Sequence, residues 1–149
     1  MPKYYFKLQP LLDKEQIYED ECVRGLRVLK DAFQDEKNKL DELKDYETKC
    51  QKDLKEKKQH HITTAELKVY EDYFGRLKND MSNSNCRLGE ITKKVEVVQD
   101  ELLKIMKKRK ALEKLKEIGK EEYTNNLQLS LNKEMDDIAM TRFNKNLRA

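Results

Sequence analysis

Few side chains in this sequence could do chemistry, and their spacing works against it. His60 and His61 are the only histidines, and as neighbours they could offer nitrogen to a metal ion. No third ligand stands at a spacing that would complete a site, so a solvated turn accounts for them better. Cys22, Cys50 and Cys86 are odd in number and far apart, which fits neither a disulfide framework nor a C-x-x-C redox or zinc pattern. They read as reduced, small, semi-apolar side chains. Gly25, Gly75, Gly89 and Gly119 are isolated, and there is no glycine-rich phosphate loop, G-x-S-x-G, H-E-x-x-H or EF-hand pattern. No catalytic residue, cofactor or metal is expected, and an enzyme is the class least supported.

The other reactive feature is charge. Lys104, Lys107, Lys108, Arg109, Lys110, Lys114, Lys116 and Lys120 form a basic run that could meet phosphates, with binding then falling steeply with salt. No aromatic residues interleave with it to stack on bases, so nucleic acid is not expected as a partner; a solvated face or an acidic protein surface fits better. The net charge of +3 comes from 32 basic and 29 acidic side chains that alternate along the chain, so no strong single-sign field follows. The start, MPKYYFKLQPLL, lacks the apolar run of a signal peptide, and no stretch of 18 apolar residues occurs. A cytoplasmic protein is expected.

The elements that carry these residues are legible in composition and period. Charged residues are 41% of the chain and hydrophobic ones 37%, against roughly 45–50% in typical globular domains, so a compact core is not expected. The only prolines are Pro2 and Pro10, which leaves the rest of the chain free to be helical. From Leu67 through Tyr70, Phe74, Leu77, Met81, Ser84, Leu88, Ile91, Val95, Val98, Leu102 and Ile105, steps of three and four alternate, with Ser84 the one polar position. That spacing holds a narrow seam against a partner helix. A weaker seam runs through Cys22, Leu26, Leu29, Phe33, Glu36, Leu40, Leu43, Glu47, Cys50 and Leu54. Between them, Thr63 and Glu66 have capping-box spacing, and Ile62 and Leu67 that of a hydrophobic staple.

A short connection makes the two helices antiparallel neighbours. The fold expected is all-α: a single antiparallel coiled-coil hairpin over 1–149, with a helix at about 10–58, a turn at about 59–63 and a longer helix at about 64–140. With the turn near residue 61, positions whose numbers sum to about 122 lie level. The acidic block Asp13 to Glu21 then faces the basic block Lys104 to Lys110, which selects register more than it stabilises. Arg109 and Lys116 fall on continued seam positions, so the seam is expected to loosen there. Roughly the last 30 residues, a C-terminal overhang of about 120–149, are left without an intramolecular partner. Within it Tyr123, Leu127, Leu131, Met135 and Ile138 form an apolar stripe. Such a stripe either docks into another protein or is a frayed or self-associating extension.

Aromatic residues cluster near the turn. Tyr70 and Phe74 fill the seam, while Tyr46 and Tyr73 flank it with Leu43 and Leu77 beneath. On spacing alone this group is either a partner-binding patch or a thickened core.

Three segments together resemble one family: Phe6-Lys7-Leu8-Gln9-Pro10-Leu11-Leu12, then Arg109-Lys110-Ala111-Leu112-Glu113-Lys114-Leu115-Lys116-Glu117, then Met135-Asp136-Asp137-Ile138-Ala139 followed by Arg142. The chain resembles the FliJ family of flagellar type III export proteins, which are related to injectisome stalk proteins. The resemblance implies a non-enzymatic, stalk-like coiled coil of the flagellar export apparatus. Its implied partners are the hexameric export ATPase, whose assembly it promotes, the cytoplasmic domain of the export gate, and export chaperones, at the cytoplasmic face of the inner membrane. It also implies a gate-facing patch of Leu43, Tyr46, Tyr70, Tyr73 and Leu77, with Asp80 and Ser84 departing from the family's choices. The ATPase-facing residues implied are Arg109, Tyr123, Leu127, Leu131, Met135 and Ile138. A generic coiled-coil scaffold or spacer that self-associates is the competing expectation.

Overall fold

Two helices form almost all of the computed structural model, which describes residues 3–148. Helix α1 spans Gln9–Gln59, 51 residues, and α2 spans Thr64–Leu147, 84 residues. They pack against each other as an antiparallel hairpin, the second helix the longer, as expected. Helix α1 opens with Pro10 in its first turn, where a missing N–H leaves no intrahelical bond unmade. The Gln9 N–H donates to the Phe6 carbonyl at 3.1 Å, and the Gln9 side chain to Asp13 Oδ1 at 2.8 Å.

The turn reverses the chain in four residues. The His60 N–H donates to the Lys57 carbonyl at 3.0 Å, tightening the last turn, and His61 takes a left-handed φ of 79°. A side chain is rarely accommodated there, at about 1–2 kcal/mol. Thr63 then caps α2: its Oγ1 accepts from the Glu66 N–H at 3.2 Å and its carbonyl from the Leu67 N–H at 3.0 Å. Ile62 and Leu67, the staple pair, are both half-buried. Helix α2 runs on past the expected end near residue 140, because neither proline nor glycine interrupts Ala139 to Leu147. Residue 149, the last of the expected overhang, lies outside the described residues.

The chain divides into two units. In the first, Asp20–Leu103, every seam position predicted from spacing is buried or half-buried, with Ser84 deepest and Leu26, Leu40 and Leu77 the most buried of the apolar ones. Two of the three polar interruptions, Glu36 and Ser84, find each other: Ser84 Oγ donates to Glu36 Oε1 at 2.9 Å. Arg87 Nε stands 3.3 Å from the same carboxylate oxygen.

The second unit consists of the residues up to Glu19 with those from Lys104. Leu12, Glu15 and Leu112 are buried in it. Where the seam was expected to loosen, it becomes polar and stays bonded. Arg109 donates through Nε to Glu19 and through one terminal nitrogen to Glu113 at 2.8 Å, and Lys116 Nζ donates to Gln9 Oε1 at 2.7 Å. The Arg109–Glu19 pair joins the two facing charge blocks, although it departs from the expected level by about six residues, roughly 9 Å. Long side chains lean toward the N-terminus of their own helix, and in an antiparallel pair that brings the two tips toward each other. The Tyr4 and Tyr123 rings meet at a centroid distance of 5.8 Å, tilted by 43°.

Candidate partner-binding surfaces

In the Asp20–Leu103 unit, α1 carries Leu43 and Tyr46 and α2 carries Tyr70, Tyr73 and Leu77. The structure sorts them by depth. Leu77 is 5% exposed and belongs to the core, Leu43, Tyr70 and Tyr73 are half-buried, and Tyr46 is 51% exposed. Leu43 and Tyr46 share a notch of about 260 Å³ with Lys39, Asp80, Ser84 and Arg87, so the two positions expected to depart from the family's choices line the same notch as the tyrosine. Tyr70 is held otherwise: the Lys57 ammonium stands 5.4 Å from its ring centroid.

In the other unit, the residues expected to meet the ATPase fall into two groups. Arg109 is half-buried and held between two carboxylates; hydrogen bonds to Glu113 and then Glu19 push its guanidinium further up, so its charge is fixed. Tyr123 packs on Tyr4 and is therefore not part of the unpartnered stripe that spacing suggested, because the N-terminal segment reaches further along α2 than straight-helix counting allows. Gly119 leaves room for the Tyr4 ring there: a Cβ at this position would collide with the Tyr4 hydroxyl oxygen. Leu127 is half-buried. Leu131, Met135 and Ile138 are exposed.

Sequence reasoning missed a second set of apolar residues on the same stretch. Leu129, Met140, Phe143 and Leu147 are all exposed. At 100° per residue they fall on the side of α2 roughly opposite to Leu127, Leu131, Met135 and Ile138. The steps from Met140 to Phe143 to Leu147 were legible as helical spacing, but ending the helix near residue 140 concealed them.

Burial, followed by Glu101 and Glu21, pushes the Cys22 thiol up, and burial with Asp53 does the same to Cys50, opposite to the lowering that activates a nucleophilic cysteine. Among the described residues no group of three or more His, Cys, Asp or Glu could hold a metal ion, and no helix is long and apolar enough to cross a membrane. Fold and surfaces thus define a coiled-coil hairpin that presents faces to other molecules.

The family model described as Flagellar FliJ protein matches residues 4–148, and the chain belongs to that family. It is accordingly a non-enzymatic structural component of the flagellar protein export apparatus. No curated protein and no solved structure matches the chain.

Proposed function

We propose that this protein is a stalk of the export apparatus: its C-terminal overhang binds the hexameric export ATPase and promotes ring assembly, while the tyrosine patch near the turn contacts the cytoplasmic domain of the export gate. The protein also escorts export chaperones and acts at the cytoplasmic face of the inner membrane through these partners. The observation that carries the reading is the exposure of apolar side chains on two opposite sides of the α2 extension, from Leu131 at 40% to Leu147 at 70%. A one-sided groove would cover only one of the two stripes. A socket that encloses the helix covers both, and the centre of a ring of subunits has that shape. Leu127, Leu131, Met135 and Ile138 line one side of this contact, and Arg109 and Tyr123 lie at its rim.

The test is the hydrolysis rate and oligomeric state of the same organism's export ATPase with and without this protein. Stimulated hydrolysis with a shift to a ring-sized complex supports the stalk; no binding with an active ATPase control returns the protein to the scaffold class. The same exposed stripes favour a second reading, a spacer that self-associates through its overhang. Light scattering on the isolated protein separates the two, since only the spacer is a dimer or larger without a partner.

A further inference from the structure

The flank of the seam opposite the tyrosine patch has its own groove. In heptad terms Tyr46 and Tyr73 occupy g positions, which share one side of an antiparallel pair, whereas Gln51, Lys58 and Lys78 occupy e positions on the other. There α1 and α2 enclose a groove of about 610 Å³, larger than the notch beside Tyr46. Its floor is apolar, made by Leu54, Phe74 and Met81, and its walls carry Lys55, Lys58 and Lys78. Among the described residues none of these three lysines is within ion-pairing distance of a carboxylate. Glu47 is the one carboxylate lining the groove, and it accepts from Gln51 Nε2 at 3.3 Å. Lys57 and Lys58 also lie in the last turn of α1, where the helix dipole accounts for one or two cations but not for a third on the facing helix.

We propose that this groove is a docking site for an acidic amphipathic helix of a partner protein. Apolar side chains of that helix, at i, i+3 and i+4 spacing, seat on Leu54, Phe74 and Met81, and carboxylates on either side of them meet Lys55, Lys58 and Lys78. The charge is what selects the occupant: three ammoniums without counter-charges around an apolar floor repel a basic helix and leave a neutral one without polar partners at the rim. The site lies on the face away from the tyrosine patch, so both can be occupied together, and it stands independently of the stalk reading.

The test uses the full chain, labelled with ¹⁵N. Two blocked helical peptides are titrated into it, one with leucines at i, i+3, i+4 and i+7 flanked by glutamates, the other identical but with lysines for the glutamates. The expected result is that the glutamate peptide shifts resonances of residues 51–58 and 74–81 and the lysine peptide does not. Binding is expected to weaken at least tenfold in Lys55→Glu/Lys78→Glu, whose helicity is unchanged because both side chains are exposed and neither lies in the last turn of its helix. Equal binding of the two peptides, shifts centred on Tyr46 or on the α2 extension, indifference to the charge reversal, or no shift at millimolar peptide would each overturn the proposal. So would charge-dependent binding to phosphatidylglycerol vesicles without peptide binding, which would make the lysines a lipid-headgroup surface.

Discussion

Ser84 is 1% exposed, and its hydroxyl donates to the Glu36 carboxylate 2.9 Å away inside a mostly apolar seam. A hydroxyl and a carboxylate on facing helices satisfy each other at one alignment of the hairpin, and sliding either helix by a turn would leave both buried without a partner. The pair therefore specifies register more than it adds stability.

Truncating one partner separates these roles from simple packing. Glu36→Ala removes the carboxylate acceptor of the buried Ser84 hydroxyl, leaving it only the longer bond to the carbonyl of residue 36 at 3.5 Å, and frees Arg87; it is expected to destabilise by about 1–3 kcal/mol in urea unfolding. Replacing both by leucine should be neutral or stabilising, with the loss appearing instead as heterogeneous helix pairing in cross-linking between the helices.

The gate patch needs a variant that does not disturb the core. Leu77→Ala should lower stability by about 2–5 kcal/mol, because Leu77 is buried, and any loss of gate binding in it would be uninformative. Tyr46→Ala should keep the unfolding midpoint within a degree or two of the parent and weaken gate binding on its own. If Tyr46→Ala bound the gate domain as the parent does, the patch assignment would fall.

At the turn, His61 holds a left-handed φ that glycine adopts without strain. His61→Gly is expected to raise stability by about 1 kcal/mol, read as a higher urea midpoint. An unchanged or lower midpoint would mean that the imidazole contributes contacts that offset the strain.

Gly119→Ala places a methyl group against the Tyr4 hydroxyl and ring. The Tyr4 side chain has to shift, and the Tyr4–Tyr123 contact is expected to be lost, visible as sharpened, shifted aromatic NMR signals of both tyrosines. Helix content should not fall, since alanine favours a helix over glycine.

The three thiols should differ in rate toward iodoacetamide. Cys86 is exposed and is expected to alkylate first, while half-burial and raised thiol values slow Cys22 and Cys50. The same shifts set a sign for stability. The folded chain keeps these protons where the unfolded chain has lost them, so their contribution is complete below the ordinary thiol range, about 8.5, and declines as pH rises through it. Mass-spectrometric labelling at several pH values checks both statements.

Sequence by itself determined the helices, their connection and the residues of the seam, because a three-four repeat dictates which side of a helix is apolar and Thr63 with Glu66 dictates where α2 starts. It also indicated that Glu36, Glu47 and Ser84 were the polar exceptions. What only tertiary structure decided was how the exceptions are resolved. Glu36 meets Ser84, Arg109 is divided between Glu19 and Glu113, and Tyr4 reaches over Gly119 to Tyr123, and each depends on the reach and lean of individual side chains, which spacing does not encode. Depth was likewise a tertiary matter: Tyr46 and Tyr73 both flank the seam by spacing, yet Tyr46 is exposed and Tyr73 half-buried. Period fixes the face a residue lies on, while the neighbouring helix fixes how much water it keeps.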